Sequence, residues 1–335
     1  MGLLIQPPRR ESADGPPARK TTLVRVSERT IGLLHPGEMG AAVGRCLRDR
    51  GHVVLWASSG RGSATAARAA AAGLIDAGTV TEIAFRCDVI VSVCPPHAAL
   101  EVAREVAGAG FGGLYVDANA ISPATVREVA AIVADGGAGC VDGGIIGTPP
   151  VAPGFIRLYL SGPRAGQVRQ LFDATPVDAR VVDHGGLSGA AQDGAAQDKA
   201  GADADAGADA GARIGAASAV KMAYASWTKG SAALLLAARV LARAQGVENV
   251  LVAEWGLSQP GLEERSARAA GSAASKGWRW VAEMAEIAAT MGAAGLPEGF
   301  HQAAAEIYRR APHDAEVGLD AVLDALSGDK GVPER

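Results

Sequence analysis

The sequence predicts an α/β fold, a Rossmann-like doubly wound parallel sheet followed by an all-α C-terminal domain. Between residues 29 and 184, short runs that are apolar on both faces alternate with helix-like segments. Strands of this kind are typical of parallel sheets whose two faces are covered by helices. A low-complexity stretch follows, and after it every long segment has the period of a helix.

The strands are predicted in a regular order along the first part of the chain. The apolar runs are TIGLL, HVVLW, DVIVSVC, GLYVDA, CVDGG, FIRLYLSG and ARVVDH, and helix-like segments separate the first five of them. Strands that alternate with single helices indicate crossover connections and therefore a parallel sheet.

The composition limits the class of protein. With 335 residues and 48% hydrophobic content, the chain is long enough for two domains with their own cores. Its net charge is −4 and it has no long Lys or Arg run, which argues against nucleic-acid and membrane partners. Because it also lacks an 18-residue apolar stretch and CxxC spacing, we expect a cytoplasmic protein that binds a small molecule and no metal.

Four segments are expected along the chain. Residues 1–28, rich in Pro, Arg and Ser, predict a disordered tail. Residues 29–184 are the predicted NADP-binding Rossmann domain. Residues 185–213 consist mainly of Ala, Gly and Asp and predict a linker or insertion, with weak helix formation left open. Residues 214–328 are the predicted all-α domain for substrate binding and dimerisation.

The all-α domain is expected to begin with a long helix. Residues 214–246 contain no Pro and are rich in Ala, Leu and Arg, which predicts a helix longer than is usual in globular proteins. A long apolar helix usually spans a core or a subunit interface, so we expect a homodimer. Further helices are predicted at about 248–256, 260–270, 277–291, 298–309 and 314–326.

The loop HPGEMG, residues 35–40, is the first candidate for function. It lies between a predicted strand and a predicted helix, where a GxGxxG motif binds a dinucleotide. Gly37 and Gly40 take the places of the second and third glycines, and we expect Pro36 to hold His35 in an extended, rigid turn in place of the first. The helix start would offer free N–H groups to the pyrophosphate. We expect Gly37, Glu38, Met39 and Gly40 to contact the cofactor. An ordinary turn without a ligand is the alternative.

The segment after the second strand bears on the choice of nucleotide. No Asp or Glu lies between His52 and Thr65, where an NAD-binding domain usually presents an acid to the ribose. Ser58, Ser59 and Arg61 lie there instead, and a guanidinium can bind a 2′-phosphate through two charge-assisted hydrogen bonds. We therefore expect NADP, with NAD as the less favoured cofactor; a polar surface loop is the alternative.

Taken in order, the motifs resemble those of the β-hydroxyacid dehydrogenase and 6-phosphogluconate dehydrogenase superfamily. The opening IGLLHPGEMGAAVG is similar to IGFIGLGxMGxxMA, and the resemblance extends to about residue 245. A subgroup with its own 6-phosphogluconate dehydrogenase-type C-terminal domain is more similar still. The later matches are SVCPP to a proline-containing turn, VDANAISP to DxSTxxP, VDGGIIGTPP to DAPVSGG, and GAASAVKMAYA to GxGxxxKxxxN.

The resemblance implies an NAD(P)-dependent oxidoreductase that transfers hydride between nicotinamide and a small hydroxy acid or a related alcohol or carbonyl compound. Lys221 would be its general acid or base, and Pro95 would contact the cofactor. Asn119 would bond the nicotinamide ribose or the substrate, and Gly143 and Gly144 would keep the backbone open around the substrate. A snorkelling surface lysine and an asparagine that bonds its own turn are the alternatives.

Two departures from the family pattern leave the substrate open. Ile146 stands where the family has serine, and Ala225 stands where it has asparagine. The loss of these polar groups favours reduction of an imine or ketone as an alternative. A non-catalytic NADP-sensing or interaction protein is the alternative from another class, because a fold alone does not establish chemistry.

The helix that carries Lys221 offers further polar side chains. Tyr224 and Thr228 follow Lys221 by three and seven residues and share its helix face. We expect them to bind substrate oxygen in place of the missing asparagine, although a core tyrosine is the alternative. Lys229 is a lesser candidate for binding an anionic group.

Overall fold

The computed structural model of the protein describes residues 28–149, 154–183, 186–188 and 214–327. The predicted disordered tail, apart from Glu28, lies outside these residues. The predicted linker at 185–213, apart from residues 186–188, and residue 328 also lie outside them.

Six parallel strands form the first part of the sheet, and the sequence predicts all of them except the two-residue strand Ile75–Asp76. They are β1 (Thr30–Leu34), β2 (Val53–Trp56), β3 (Ile75–Asp76), β4 (Val89–Ser92), β5 (Leu114–Asp117) and β6 (Gly139–Gly147). Their spatial order is β3-β2-β1-β4-β5-β6, and all neighbours in this set are parallel. The order reverses at β1, which is the topology of a doubly wound sheet.

Three more strands extend the sheet beyond β6. They are β7 (Ile156–Ser161), antiparallel to β6, β8 (Val177–Asp183), parallel to β7, and β9 (Gly186–Ser188), antiparallel to β8. The described residues thus form one nine-stranded sheet. β9 lies in the segment that the sequence predicts as the start of the linker. The lack of apolar side chains there does not prevent a strand, because a sheet ladder uses backbone N–H and C=O groups.

Helices cover both faces of this sheet. They are α1 (Glu38–Asp49), α2 (Ser63–Ala71), α3 (Val80–Arg86), α4 (Ala99–Gly108), α5 (Pro123–Asp135) and α6 (Ala165–Leu171). Adjacent strand residues belong to different buried clusters: Leu33 and Val91 pack on one face, and Leu34 and Ile90 on the other. This alternation confirms strands that are buried on both sides.

The C-terminal domain is all-α, as predicted. Its helices are α7 (Ala216–Ala244), α8 (Glu248–Ser258), α9 (Leu262–Ala293), α10 (Gly299–Arg310) and α11 (Leu319–Ser327). The long helix expected at 214–246 is confirmed as α7.

The prediction of two helices at 260–270 and 277–291 was wrong, because α9 is continuous. No Pro interrupts α9, and its glycines fit within the helix. At Gly277 a side-chain Cβ would lie 3.3 Å from the Tyr308 ring, so this glycine permits close packing of α10 on α9. Within the described residues, no helix combines the length and the apolarity needed to cross a membrane.

Candidate active site

The HPGEMG loop connects β1 to α1 in the predicted strand-to-helix context. Gly37 is the N-cap of α1, and a side chain built on it would meet no atom within 4 Å. At Gly40 a Cβ would lie only 2.6 Å from the His35 carbonyl oxygen. Gly37 therefore leaves open space before the helix N-terminus, and Gly40 permits the helix to begin directly on the loop, as a phosphate-binding turn requires.

His35 does not have the extended backbone that the sequence predicts. Its φ is +63°, in the left-handed region, and its carbonyl accepts a hydrogen bond from Gly37 N at 2.7 Å. The closed turn thus imposes on His35 a backbone that glycine adopts without strain, and Pro36 does not prevent it. Burial, with a smaller contribution from the charge of Arg61, lowers the pKa of His35 to about 4, so its ring is neutral at pH 7.

The loop after β2 presents its polar groups to solvent. Ser59 N donates to Gly78 O at 2.8 Å and Arg61 N donates to Ser58 O at 3.0 Å, so backbone bonds hold the loop. The Arg61 side chain is exposed, and no other described residue pairs with its guanidinium. This cation is therefore available to an anionic ligand.

Asn119 connects the ends of β4 and β5. Its Oδ1 accepts from Cys94 N at 2.6 Å, and its Nδ2 donates to Asp117 Oδ2 at 2.8 Å and to Ser92 Oγ at 3.4 Å. Burial raises the pKa of Asp117 to about 7, although hydrogen bonds from Asn119 act in the opposite direction. Both Nδ2 hydrogens are used within the protein, which agrees with the alternative of a structural asparagine. Pro95, close by, is exposed at the start of a short helical turn.

Asp142 of β6 binds the beginning of α7. Its carboxylate accepts hydrogen bonds from Gly215 N at 3.0 Å, Ser218 N at 3.0 Å, Ser218 Oγ at 2.7 Å and Ser161 Oγ at 2.8 Å. A carboxylate at a helix N-terminus satisfies the free N–H groups and interacts favourably with the helix dipole. This contact fixes the helix that carries Lys221. The VDGG segment belongs to the matched stretch VDGGIIGTPP, but its sequence does not indicate this role for the aspartate.

Gly143 and Gly144 lie against protein atoms and not beside an open cleft. A Cβ on Gly144 would lie 2.7 Å from Ala217 O and 3.1 Å from Lys221 Cβ, and one on Gly143 would lie 2.9 Å from Asp117 O. This packing does not agree with the predicted role of the two glycines, which was to keep the backbone open around the substrate. Both glycines instead allow close packing, and Gly144 brings α7 directly onto β6.

Lys221 lies beside a buried carboxylate of α9. Its Nζ is 3.4 Å from Oε1 of Glu283, and Oε2 of Glu283 contacts the Nζ of Lys229. Glu283 is 4% exposed. Burial acts to raise the pKa of Glu283, but the charges of Lys221 and Lys229 outweigh it and hold the pKa below its usual value. The Lys221 ammonium thus has a buried counter-ion, in contrast to a lysine that snorkels to solvent.

Tyr224 and Thr228 make fewer contacts near Lys221 than their spacing along the helix predicts. Tyr224 is 46% exposed, and Thr228 Oγ1 donates to Tyr224 O at 3.0 Å within the helix. Among the described contacts, neither side chain reaches Lys221. Their role in binding substrate stays a prediction.

One face of α9 connects the helical domain to the N-terminal domain. Arg279 Nη1 lies 3.1 Å from Glu38 Oε2, at the start of α1. One turn after Glu283, Glu286 Oε2 accepts from Ser122 N at 2.7 Å and from Thr125 Oγ1 at 2.8 Å. This face of α9 therefore contacts the starts of α1 and α5 and carries the counter-ion of the two lysines.

The part of the chain that carries the HPGEMG loop is similar to a known family. Residues 30–170 match the family described as the NAD binding domain of 6-phosphogluconate dehydrogenase. These residues are thus similar to an NAD-binding domain of this family. Residues 242–311 match a domain of unknown function, DUF1932. The resemblance to this superfamily, and to a subgroup with its own C-terminal domain, is thus confirmed, and the expected class of NAD(P)-dependent dehydrogenase or reductase agrees with it.

Solved structures share the fold over nearly the whole chain. A 3-hydroxyisobutyrate dehydrogenase from Mycobacterium tuberculosis is 19% identical, with a TM-score of 0.58 over 89% of this chain and 99% of that one. One from Salmonella typhimurium is 18% identical, with a TM-score of 0.59 over the same shares. A conserved hypothetical protein from Sinorhizobium meliloti 1021 is 23% identical, with a TM-score of 0.59 over 90% and 96%. No curated protein matches the sequence.

The NAD-binding domain and the helical domain contribute different parts of the candidate site. The former supplies the HPGEMG loop and Arg61, and the latter supplies Lys221, Lys229 and Glu283. Lys221 lies between the two matched segments, so neither family match covers it. The described residues contain no cluster of three or more His, Cys, Asp or Glu side chains that could hold a metal ion.

The acidic residues of α9 that contact the site were not predicted from the sequence. Glu283 contacts lysines 54 and 62 residues away, and Glu286 contacts a turn more than 160 residues away. The signal in the sequence is weak: Arg279, Glu283 and Glu286 follow a spacing of four and three residues, which places them on one helix face. Nothing in that spacing identifies their partners.

Proposed function

We propose that the protein is an NADP-preferring oxidoreductase that transfers hydride between nicotinamide and a small hydroxy acid or a related alcohol or carbonyl compound. Lys221 is its general acid or base. The observation that carries the proposal is the ion pair of Lys221 with the buried Glu283, on a helix packed against the NAD-binding domain. A lysine with a surface role has no need of a buried counter-ion.

The position of Lys221 against one edge of the sheet supports this role. Asp117 ends β5 and pairs with Asp142 in β6, so Gly144 lies beyond the carboxyl end of β5. Lys221 packs on Gly144, and the HPGEMG loop leaves the carboxyl end of the parallel strand β1. In doubly wound sheets, ligands bind at this edge, near the point where the strand order reverses.

The residues around the loop fit a dinucleotide. Gly37 faces open space at a helix N-terminus. Among the described residues, the Arg61 guanidinium pairs with no side chain, and the buried Nδ1 of His35 has no hydrogen-bond partner. The cofactor supplies the hydride chemistry when bound. The chain supplies the proton: in reduction, Lys221 gives the proton on its Nζ to the carbonyl oxygen, and in oxidation its neutral Nζ takes the hydroxyl proton.

Replacing Arg61 by Ala is expected to weaken NADPH binding by about ten-fold or more and to leave NADH binding nearly unchanged. A charge-assisted hydrogen bond contributes about 1.5–3 kcal/mol, and only NADPH carries the 2′-phosphate. The measurement is a fluorescence titration with each nucleotide, with Arg45→Ala, an exposed arginine of α1, as the matched control. An equal loss for both nucleotides would remove the assignment of Arg61.

A panel of small hydroxy acids, ketones and cyclic imines, followed by NADPH absorbance, tests the reaction itself. We expect the fastest turnover with a hydroxy acid or its oxo form. Fastest turnover with the imines would favour the alternative, for which the loss of polar groups at Ile146 and Ala225 is the argument. Tight NADPH binding without hydride transfer to any compound would favour the non-catalytic protein.

We also propose that the helical domain forms a homodimer. Trp227, Leu234 and Leu241 recur every seven residues on α7 and are 68%, 63% and 63% exposed. Trp227 and Leu234 border an apolar groove of about 510 Å³ between α7 and α10 that also includes Phe300. Such a stripe on a long helix is typical of a helix-to-helix contact.

In sedimentation velocity at micromolar concentration, we expect a dimer of the 33.8 kDa chain. Trp227→Glu should convert it to the monomer, because a charge in an apolar interface must be desolvated. Phe85→Glu, at an exposed aromatic of the NAD-binding domain, is the matched control and should leave the dimer intact. A wild-type monomer at this concentration would refute the homodimer.

A further inference from the structure

Three charged side chains are held together inside the helical domain. Glu283 of α9 lies between Lys221 and Lys229 of α7, with one carboxylate oxygen directed to each ammonium. Lys221 and Lys229 side chains are 15% and 20% exposed. The two lysines are eight residues apart, about 12 Å along the helix, and the carboxylate spans part of that separation.

Lys229 is fixed by its surroundings. Its ammonium lies 5.2 Å from the centre of the Trp280 ring, and Tyr308 OH donates to its backbone carbonyl at 2.6 Å. Trp280 in turn packs edge-on against Tyr308 at 4.9 Å. A surface ion pair needs no such support, and burying three charges is unfavourable unless they remain paired. The proposed function assigns a proton transfer to Lys221 and none to Glu283 or Lys229.

The two oxygens of Glu283 are not equivalent. Oε2 accepts a hydrogen bond from Lys229, whereas Oε1 accepts none from the described residues and lies 3.4 Å from Lys221 Nζ. Oε1 therefore faces the amine that would lose a proton in each reductive turnover. A small movement of either side chain would bring Nζ into hydrogen-bond distance of Oε1.

We propose that Glu283 joins Lys221 and Lys229 into a proton relay, an inference that rests on the proposed function. After Lys221 has given a proton to the substrate oxygen, Oε2 of Glu283 takes a proton from Lys229 Nζ, which breaks an N–H bond and forms an O–H bond. The carboxyl group then rotates, and the same proton passes from Glu283 to Lys221 Nζ, which breaks the O–H bond and forms an N–H bond. Lys229 regains a proton from solvent water. No group changes its oxidation state, and the net result is the transfer of one proton from solvent to product.

The charges around Lys229 suit this exchange. Burial, the largest effect, together with the nearby charges of Lys221 and Lys276, lowers the pKa of Lys229 to about 8, against the opposing effect of Glu283. Lys276 of α9 lies 6.0 Å from the other contact of Lys229, the Trp280 ring. Lys229 can therefore both release and regain a proton near neutral pH, as an arginine at this position could not.

The coupling can be tested without a substrate, by acetylating the holoprotein with acetic anhydride at pH 8 and measuring each lysine by mass spectrometry. Only neutral amines react. Removing the negative charge in Glu283→Gln should make both Lys221 and Lys229 react about ten-fold faster or more. In Lys229→Met, Lys221 no longer shares Glu283 with a second lysine. Its ammonium form is then favoured, so Lys221 should react more slowly. Lys276→Met, in which no contact with Glu283 is lost, is the matched control and should leave the rate of Lys221 within about two-fold.

Lysine rates that stay unchanged in both variants would overturn the relay. NADPH affinity and melting temperature, measured on the same samples, show whether a variant has lost its fold. Glu283→Asp, which keeps the charge, serves as a second variant: it should react more slowly than Glu283→Gln at both lysines if charge, and not shape, determines the rates.

The transfer itself is tested with whichever compound of the panel oxidises NADPH fastest. In Lys229→Met we expect the first turnover at the wild-type rate and later turnovers about ten-fold slower, with added imidazole restoring them. Equal slowing of all turnovers without rescue, or no slowing at all, would contradict the relay. An active Lys221→Met variant would instead reject the proposed function, whereas an inactive one with a normal Lys229→Met variant would reject only the relay.

Discussion

Replacing Lys221 by Met is expected to reduce turnover by about 10²–10⁴-fold while NADPH still binds. Met has nearly the length of lysine but cannot carry a proton, and general acid or base catalysis contributes about this factor. Glu283 keeps Lys229 as its partner in the variant, so its carboxylate is not left without a counter-ion. The fold should therefore survive the change.

The measurement is turnover at saturating substrate together with an NADPH titration of the same protein. Arg268→Met is the matched control, since Arg268 is an exposed cation of α9 that has no contact with Glu283 among the described pairs. It should retain wild-type turnover. Turnover in Lys221→Met within a few-fold of the wild type would show that another group handles the proton.

Replacing Asp142 by Ala should lower the free energy of unfolding by about 3 kcal/mol or more. The side chain is fully buried and accepts four hydrogen bonds, two of them from backbone N–H groups at the start of α7. Each donor left unsatisfied inside the protein costs about 1–3 kcal/mol. Because α7 carries Lys221, activity should fall together with stability.

Urea denaturation followed by circular dichroism measures this loss. Asp178→Ala is the matched control: its carboxylate pairs with Arg180 near the surface, where ion pairs contribute about 0–1 kcal/mol. If Asp142→Ala were as stable as Asp178→Ala, Asp142 would not anchor the helix.

The sequence predicted most of the fold because its signals are local. Apolar runs such as DVIVSVC identify buried strands, and the Pro-free segment at 214–246 identifies α7. Two helices were expected at 260–270 and 277–291, but α9 is continuous. Tyr308 packs on Gly277 within α9, and that contact comes from another helix.

The candidate site was predicted only in part. Gly37, Gly40 and Lys221 stand out because short motifs carry them. Glu283 and Asp142 act on Lys221 through contacts across 50 residues or more, which no local pattern reports. The turn at His35 shows a further limit: the rule for a residue before proline predicts extended backbone, but a hydrogen bond within the loop determines its conformation.

Calorimetric titration with NADPH tests the central claim, that the HPGEMG loop holds the pyrophosphate at the start of α1. The account predicts saturable heat with one nucleotide per chain, and loss of that heat in Gly40→Val, since a Cβ there would lie 2.6 Å from the His35 carbonyl oxygen. Gly108→Val, in which the added side chain meets open space, should keep the affinity. No heat from either NADPH or NADH, or undiminished binding in Gly40→Val, would contradict it.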